Sequence, residues 1–254
     1  MFGRRKTPAW FFESETQVEA VSRLLYLTES GNPLGWLTGS GGSGRSTVIE
    51  QVRSELKSAG ISTIFLDASG MDCDALFWHL ATSLHIQTAA SVSRFELLLR
   101  IRDELLGRMQ CRIRTAVLID NLHRSAGNPE PFLSWLLAQA EQLDGCLYLI
   151  GAAHPATKPA VFAHLPLLRI HLLPFSSAES ISFIEDLLIA RSGHRISFDQ
   201  PASQALVQLC NGNPARLVRM ASLLEVVQKT QPDLRIDREL IESVAEEFAP
   251  RRAA

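Results

Sequence analysis

The segment from Gly39 to Thr47 has the composition of a loop that binds phosphate. Its glycines let successive backbone N–H groups turn toward one point, and the helix predicted to follow adds partial positive charge at its amino terminus. The hydroxyl of Ser46 is placed to coordinate Mg²⁺. This pattern, known as Walker A, predicts that the loop binds ATP with Mg²⁺. The residues predicted to bind nucleotide are Gly39, Ser40, Gly41, Gly42, Ser43, Gly44, Arg45, Ser46 and Thr47.

One residue of this loop departs from the Walker A pattern, because Arg45 stands where the pattern has lysine. A lysine places a compact ammonium between the β- and γ-phosphates, whereas a guanidinium is broader and planar. We therefore expect Arg45 to contact phosphate from a displaced position. Such a position would align the transferred phosphoryl group less well than lysine does.

A second acidic position is predicted at the end of an apolar strand. Residues 116–119 are apolar and lead into Asp120, which is the Walker B arrangement for holding Mg²⁺. A parallel sheet could bring Asp120 beside Ser46. A water-activating ATPase would have glutamate next, but this chain has Asn121. An amide can orient a water molecule and cannot accept its proton, so Asn121 also puts hydrolysis in question.

The elements that would position these residues alternate between strands and helices over the first two thirds of the chain. Short runs of apolar or β-branched residues predict strands, and runs that are apolar on both faces are typical of a buried parallel sheet. Helical patterns between them give the βαβ rhythm of an α/β fold, a P-loop NTPase sheet with flanking helices. The predicted strands are 34–38, 61–66, 116–119, 146–150 and 167–172, and the predicted helices of this part are 16–28, 46–56, 74–84, 93–108 and 131–143.

The pattern changes after residue 174, where only helices are predicted. Ser176 and Glu179 have the spacing of a capping box. Three further helices are predicted to start at Asp199, Pro214 and Asp237. We therefore predict an α/β domain over residues 1–174 and a small, all-helical lid domain over residues 175–254.

Composition excludes several classes of protein. The 25 basic and 27 acidic residues give a net charge of −2, which argues against binding nucleic acid by bulk charge. The four cysteines form no C-x-x-C pair, which favours small buried side chains over a zinc site or a disulfide framework. The amino terminus lacks the apolar middle of a signal peptide, and no stretch is long and apolar enough for a membrane span. We expect a soluble, cytoplasmic protein without direct membrane insertion.

Several segments together resemble the AAA+ ATPases, and among them the general secretion pathway protein A type of type II secretion, with relatives among transposition helper ATPases. The order and spacing of these segments are more specific than any one of them. The segments are Trp10–Phe12, Trp36–Gly39, Leu118–Asp120, Ile150–Pro155, His171–Phe175 with Glu179, Ile184 and Leu188, and Gly212–Pro214. The resemblance implies an ATPase with ATP and Mg²⁺ as cofactors, homo-oligomers, and a protein partner that the sequence does not identify.

The resemblance also assigns residues to catalysis, namely Asn121, His154 and Arg216. His154 stands where the family shows a polar sensor, and Arg216 comes one place later than the family's lid arginine, about 100° further round the helix. Arg169 is the nearest candidate for an arginine finger that reaches a neighbouring subunit, because Leu165 stands where family members often carry arginine. Each has an ordinary alternative: His154 as a residue bonded to backbone at a strand end, and Arg169 as a solvated or salt-bridged strand residue.

Four kinds of function fit these features. The first is an AAA+ protein that binds ATP with Mg²⁺ and uses slow hydrolysis to drive or switch assembly of a partner complex, in secretion or pilus formation. The second is a hydrolysis-deficient pseudo-ATPase that acts as a nucleotide-dependent interaction module. The third is an interaction domain that has kept the fold and binds no nucleotide. The fourth is an ATPase like the DNA transposition helpers, which the near-neutral charge disfavours.

Overall fold

A computed structural model describes residues 11–30, 32–87, 92–143, 145–163, 166–192, 198–230 and 236–246 of the 254. The described residues form two compact units. The first takes in the chain up to Gly41 and from Arg45 to Leu172, and the second takes in Gly42–Gly44 and the chain from Leu173 onward.

The first unit is built on a five-stranded parallel sheet with the order β2-β3-β4-β1-β5. Adjacent strands pair in parallel, so all five carboxyl ends lie at one edge of the sheet. This arrangement confirms the predicted fold class, a P-loop NTPase sheet with flanking helices. The strands are β1 (Leu34–Gly39), β2 (Ser62–Asp67), β3 (Thr115–Asp120), β4 (Leu147–Ala153) and β5 (Leu168–Leu172), and the helices of this unit are α1 (Glu15–Ser30), α2 (Arg45–Ser58), α3 (Cys73–Ser83), α4 (Arg94–Gln110) and α5 (Glu130–Gln142).

Each face of the sheet is covered by apolar side chains. Along β3, Val117 and Ile119 belong to the cluster that includes residues of α3, α4 and α5. Ala116 and Leu118, which alternate with them, belong to the cluster on the other face, with residues of α1 and α2. Successive side chains of a strand point to opposite faces, so a strand covered on both sides must be apolar throughout. This is why β3 is apolar from Ala116 to Ile119, directly before Asp120.

A close approach of β1 and β4 fixes the sheet near its carboxyl edge. Trp36 of β1 lies directly opposite Gly151 of β4 in the parallel register, and Trp36 is only 4% exposed. A Cβ added at Gly151 would lie 2.5 Å from a ring carbon of Trp36, which is closer than such atoms approach. The absence of a side chain at Gly151 therefore leaves the space that the indole ring of Trp36 occupies.

The second unit contains α6 (Ser177–Ser192), α7 (Gln200–Cys210), α8 (Pro214–Thr230) and α9 (Arg238–Glu246). The predicted capping box is confirmed, since Ser176 N–H donates to Glu179 Oε2 and Glu179 N–H donates to Ser176 Oγ. Asp199 caps α7 through the N–H of Ala202 at 2.9 Å, as the sequence predicts. Local side-chain bonds of this kind are readable from sequence because both partners lie within one helical turn.

The expectation that the cysteines are buried is wrong for most of them. Cys210 is buried, Cys73 and Cys146 are half-buried, and Cys111 is exposed, all as free thiols. Cys111 follows the last residue of α4 and lies in the turn before β3. A turn at the end of an amphipathic helix faces solvent whatever residue it carries, so residue type alone misjudged its burial. Among the described helices, none is both long and apolar enough to cross a bilayer.

Replacing Gly151 with alanine tests the contact with Trp36. We expect Gly151→Ala to lower the midpoint of thermal unfolding, because overpacking a core costs about 1–3 kcal/mol. Gly107→Ala is the matched control, because an added Cβ there meets no atom within 4 Å. Gly107 lies in α4, where alanine is favoured over glycine by about 0.5–1 kcal/mol, so its midpoint should rise. Circular dichroism during heating measures both, and equal shifts would contradict this packing.

Candidate nucleotide-binding site

The candidate site lies at the carboxyl edge of the sheet. Here β1 ends at Gly39, β2 at Asp67, β3 at Asp120 and β4 at Ala153. Asp67 and Asp120 are opposite each other in the register of β2 and β3. In an open α/β sheet, the crevice beyond the carboxyl ends of the strands is where ligands bind.

The loop between β1 and α2 has the backbone of an anion site. Gly42 and Gly44 have φ values of 81° and 93°, which glycine adopts at little cost. Ser43 between them is buried, and its hydroxyl oxygen has no hydrogen-bond partner among the described residues. A buried hydroxyl with no protein partner is a donor that an anionic oxygen can satisfy. These observations fit the phosphate groups of a nucleotide.

Arg45 turns back on this loop. Its guanidinium donates to the carbonyl oxygens of Gly39 and Ser40, the latter at 3.1 Å, and the residue is only 8% exposed. Burial lowers the pKa of Arg45 below its usual value, and the carboxylate of Asp120 opposes that shift. The guanidinium therefore forms two hydrogen bonds with the backbone of its own loop. Arg45 tightens the start of the loop at the position where the Walker A pattern has a phosphate-binding lysine.

Ser46 and Asp120 meet, as the Walker patterns predict for a shared Mg²⁺. Ser46 Oγ donates to Asp120 Oδ2 at 2.5 Å, and Asp120 is fully buried. Hydroxyl and carboxylate oxygens are the ligands that Mg²⁺ prefers, so this pair fits the ion. The described residues contain no group of three or more His, Cys, Asp or Glu side chains suited to hold a metal. A magnesium ion here would therefore take its remaining ligands from phosphate and water, as is usual for Mg²⁺.

Asn121 faces a carboxylate that sequence reasoning missed. Asn121 Nδ2 donates to Asp67 Oδ1 at 2.9 Å, and Asn121 N–H donates to Asp120 Oδ1 at 2.7 Å. Asn121 has φ 58° and ψ 30°, a left-handed conformation that asparagine tolerates better than most residues. The sequence pattern at Asp67 is the same as at Asp120, since each aspartate ends a strand that follows a helix. This pattern is weak evidence for a functional residue when it is found on a single strand. Only the pairing of β2 with β3 in the structure shows that the two aspartates lie side by side.

Two histidines lie beside this edge. The rings of His123 and His154 are 6.2 Å apart between centroids, and Nδ1 of exposed His154 accepts from Ala156 N–H at 3.2 Å. Burial lowers the pKa of His123, with further lowering from Arg45, His154 and Arg124. His123 was not singled out in the sequence. It lies three residues after Asp120, and the tertiary structure brings its ring close enough to Arg45 for electrostatic repulsion.

The predicted catalytic arginine, Arg216, belongs to the second unit, and the candidate finger, Arg169, belongs to the first. Arg169 is on β5 and donates to the carbonyl oxygen of Phe162 at 3.3 Å, which holds its guanidinium against the first unit's own backbone. Arg216 lies in the first turn of α8, where Asn213 Oδ1 accepts from its N–H at 3.2 Å. Trp10 and Leu165, used in the resemblance, lie outside the described residues.

Comparison with family models gives one match to this chain. The model described as AAA domain matches residues 28–156, just over half of the 254. This range runs from the last three residues of α1 to just beyond β4 and includes Arg45, Ser46 and Asp120. The chain belongs to the AAA domain family. Membership implies nucleotide binding, usually with Mg²⁺, and the finer likeness to the general secretion pathway protein A type stays a prediction. A comparison with curated proteins gives no match.

Solved structures share the fold of this AAA domain over nearly all of the chain. Cdc6p from Pyrobaculum aerophilum has a TM-score of 0.70 at 16% identity, covering 96% of this chain and 69% of its own. The ORC1 protein of Aeropyrum pernix in complex with DNA has a TM-score of 0.67 at 14% identity, covering 96% and 68%. The RuvB Holliday junction branch migration motor of Thermotoga maritima has a TM-score of 0.56 at 14% identity, covering 93% and 70%. At these identities the likeness shows the fold alone.

His79 on α3 interacts with Asp67 and predicts how the stability of the fold depends on pH. Burial lowers the pKa of His79, Asp67 opposes that shift, and His79 Nδ1 has no hydrogen-bond partner among the described residues. Below the unfolded pKa of about 6.5, the unfolded chain then binds more protons than the folded one. The free energy of unfolding should therefore fall as pH drops from about 7 toward the lower folded pKa.

We expect His79→Gln to reduce this pH dependence, measured by chemical denaturation between about pH 7.5 and 5.5. The matched control is His85→Asn, because His85 is exposed and asparagine tolerates its φ of 61°. This control should keep the slope of the parent protein. If His79→Gln also keeps the slope of the parent protein, the lowered pKa of His79 is not the cause of the pH dependence.

Proposed function

We propose that this AAA domain protein binds ATP with Mg²⁺ and uses its nucleotide state as a switch. The observation that carries the proposal is the contact of Ser46 with buried Asp120 at 2.5 Å, directly after a glycine loop. The nucleotide-binding residues would be Gly39–Thr47, with Ser46 and Asp120 as magnesium ligands. Family membership supports nucleotide binding in general, and the assignment of single residues is our proposal.

Hydrolysis, in this proposal, is slow or absent. Asn121 cannot accept a proton from water, and loss of a general base typically costs about 10²–10⁴ in rate. Arg45 donates hydrogen bonds to the carbonyl oxygens of Gly39 and Ser40, whereas a lysine at this position would donate to phosphate. A typical turnover of about 10 per second would thus fall to about 0.1 per second or less. We propose a slow ATPase, with a hydrolysis-deficient interaction module as the limiting case.

The helical residues 175–254 are proposed to act as a lid on the α/β domain of residues 1–174. Closure of such a lid on bound nucleotide would change the surface that a partner meets. In this scheme His154 senses the nucleotide, Arg216 contacts it from the lid, and Arg169 is the candidate finger toward a neighbouring copy. The resemblance of the sequence to the AAA+ ATPases supports these roles.

We propose a protein as the partner, in assembly of a secretion or pilus complex. The net charge of −2 gives no general attraction to nucleic acid. Two of the solved structures with this fold are bound to DNA, the ORC1 protein of Aeropyrum pernix and the Drosophila ORC. Salt-dependent retention of duplex DNA by the purified protein would favour the alternative of a transposition helper-like ATPase.

Titration with a fluorescent ATP analogue tests the binding site. We expect a saturable signal that requires Mg²⁺. Ser46→Ala should weaken the magnesium-dependent affinity by about tenfold or more, because the ion loses a ligand and Asp120 loses one of its two donors. The matched control is Ser58→Ala, at the exposed end of the same helix, where the hydroxyl donates only to Ser54 O. An analogue that fails to saturate, or equal effects of the two variants, would contradict the site.

Light scattering with ATP, with ADP and without nucleotide tests the switch. We expect ATP to shift the protein toward a larger oligomer, because a lid closed on nucleotide would complete the surface between copies. Ser46→Ala should reduce that shift in proportion to its loss of affinity. Binding of ATP with no change in mass would contradict an assembly switch and favour a monomeric interaction module.

A further inference from the structure

A cleft of about 260 Å³ lies beside β5, the edge strand of the sheet in the first unit. Its interior is apolar, because Trp36 and Phe162 line it and each is only 4% exposed. Its mouth carries two exposed cations, Lys158 and Arg169. The cleft is smaller than the about 300–1,000 Å³ that is typical of sites for small molecules, so it suits a single large side chain.

The parallel register places the apolar and the charged side chains on one face of the sheet. Arg169 of β5 lies directly opposite Trp36 of β1, so the two side chains point to the same face. Trp36 and Phe162 belong to the apolar cluster of that face, and Leu167 packs against it. Ile170, the next residue of β5, belongs to the cluster of the other face. The alternation along β5 therefore turns Arg169 toward the cleft while Ile170 anchors the strand.

The walls of the cleft are held in place without any bound partner. The rings of Trp36 and Phe162 meet edge to face, with 4.9 Å between their centroids. Arg169 donates to the carbonyl oxygen of Phe162 at 3.3 Å, and Ala160 N–H donates to Glu130 Oε1 at 2.6 Å. These bonds tie the short helical turn between β4 and β5 to β5 itself and to α5. A cleft that is already formed loses little conformational freedom when a ligand binds.

The charge at the mouth determines which kind of side chain fits. Among the described residues, those that line the cleft include two cations and no carboxylate. A guanidinium has five N–H donors, and the bond to Phe162 leaves Arg169 with donors for a ligand. A carboxylate at the mouth would therefore be attracted, whereas a second cation would be repelled. The cleft is complementary to an apolar side chain that has an acidic neighbour.

We propose that the cleft binds a partner protein through one large apolar side chain with a carboxylate next to it in the partner's chain. The apolar side chain would lie against Trp36 and Phe162, and Lys158 and Arg169 would bind the carboxylate. Interfaces commonly draw most of their binding energy from a few such buried anchors. That the occupant belongs to a protein rests on the proposed function, whereas the chemistry that the cleft selects does not.

Titration with short labelled peptides, followed by fluorescence anisotropy without nucleotide, tests this chemistry. The probe is a glycine-serine heptapeptide whose central phenylalanine has an aspartate on each side. We expect saturable binding that weakens as salt rises from about 0.05 M to about 0.5 M, because salt screens the ion pairs. Replacing the phenylalanine of the probe by alanine should lower the affinity by about tenfold or more, and replacing both aspartates by asparagine by about threefold or more. Equal affinities of the three peptides, or no saturable binding of the probe, would overturn the proposal.

Removing the two cations should affect only the acidic part of the probe. In Lys158→Gln/Arg169→Gln, the affinity for the aspartate peptide should fall by about threefold or more, and the affinity for the asparagine peptide should stay the same. The amide that replaces the Arg169 guanidinium can still donate to the carbonyl oxygen of Phe162. The matched control is Lys57→Gln, which removes an exposed cation in the last turn of α2 and should change neither affinity. An equal loss for both peptides would contradict binding of the carboxylate by these cations.

Filling the cleft tests its apolar part. Ala163 lines the cleft and is exposed, so Ala163→Leu should occupy the space of the phenylalanine and weaken binding of the probe by about tenfold. The matched control is Ala59→Leu, at an exposed position directly after α2, which should bind the probe like the parent protein. Thermal unfolding checks that both variants are folded. A folded Ala163→Leu variant that binds the probe as well as the control would refute the assignment, and if that variant does not fold, the peptide set and the cation variants decide.

The oligomeric state separates a partner protein from a second copy of this chain. Light scattering without nucleotide should give the same mass for the parent protein, Ala163→Leu and Ala59→Leu. A lower mass for Ala163→Leu alone would show that the cleft holds a second copy, which would count against the proposal. Failure of the fluorescent ATP analogue to bind would sink the proposed function alone, because the peptide titrations need no nucleotide.

Discussion

The contact between Ser46 and Asp120 is the interaction on which the rest of the site depends. It joins the first turn of α2 to the end of β3, two elements far apart in the chain. Asp120 is fully buried, so its charge is stable only with donors around it, here Ser46 Oγ and the N–H of Asn121. The parallel register of β3 between β2 and β4 puts the carboxylate at that point. A shift of one residue would turn Asp120 to the other face of the sheet.

Charges at this edge are balanced locally. Arg45 lies in the field of Asp120, and its guanidinium is held by the carbonyl oxygens of Gly39 and Ser40. Asp67 is satisfied by Ser69 and Asn121. Each of these three charged side chains therefore has its own donors or acceptors before any nucleotide binds. A site prepared in this way can bind a polyanion while the surface of the protein as a whole stays close to neutral.

The departures from the Walker patterns become intelligible once their partners are known. Arg45 would be a poor substitute for lysine if it only contacted phosphate, but its guanidinium also closes the start of the loop. Asn121 would be a loss of the general base if taken alone, but it completes the hydrogen bonding of Asp67. The partner of Asn121 is one that an ionised glutamate could not satisfy, since its carboxylate has no donor.

The sequence by itself determined the parallel α/β fold, the glycine loop between β1 and α2, and the end of β3 at Asp120. Helical period, strand alternation, and caps such as Ser176 with Glu179 are local properties, and neighbours in the chain reveal them. The expectation from sequence was wrong for the burial of Cys111, and the sequence signal was weak at Asp67 and absent at His123. Only the tertiary structure decided that Asp67 holds Asn121 and that Arg45 turns onto the loop. These contacts join residues on separate elements, and their partners follow from the order and register of the strands, which no local pattern contains.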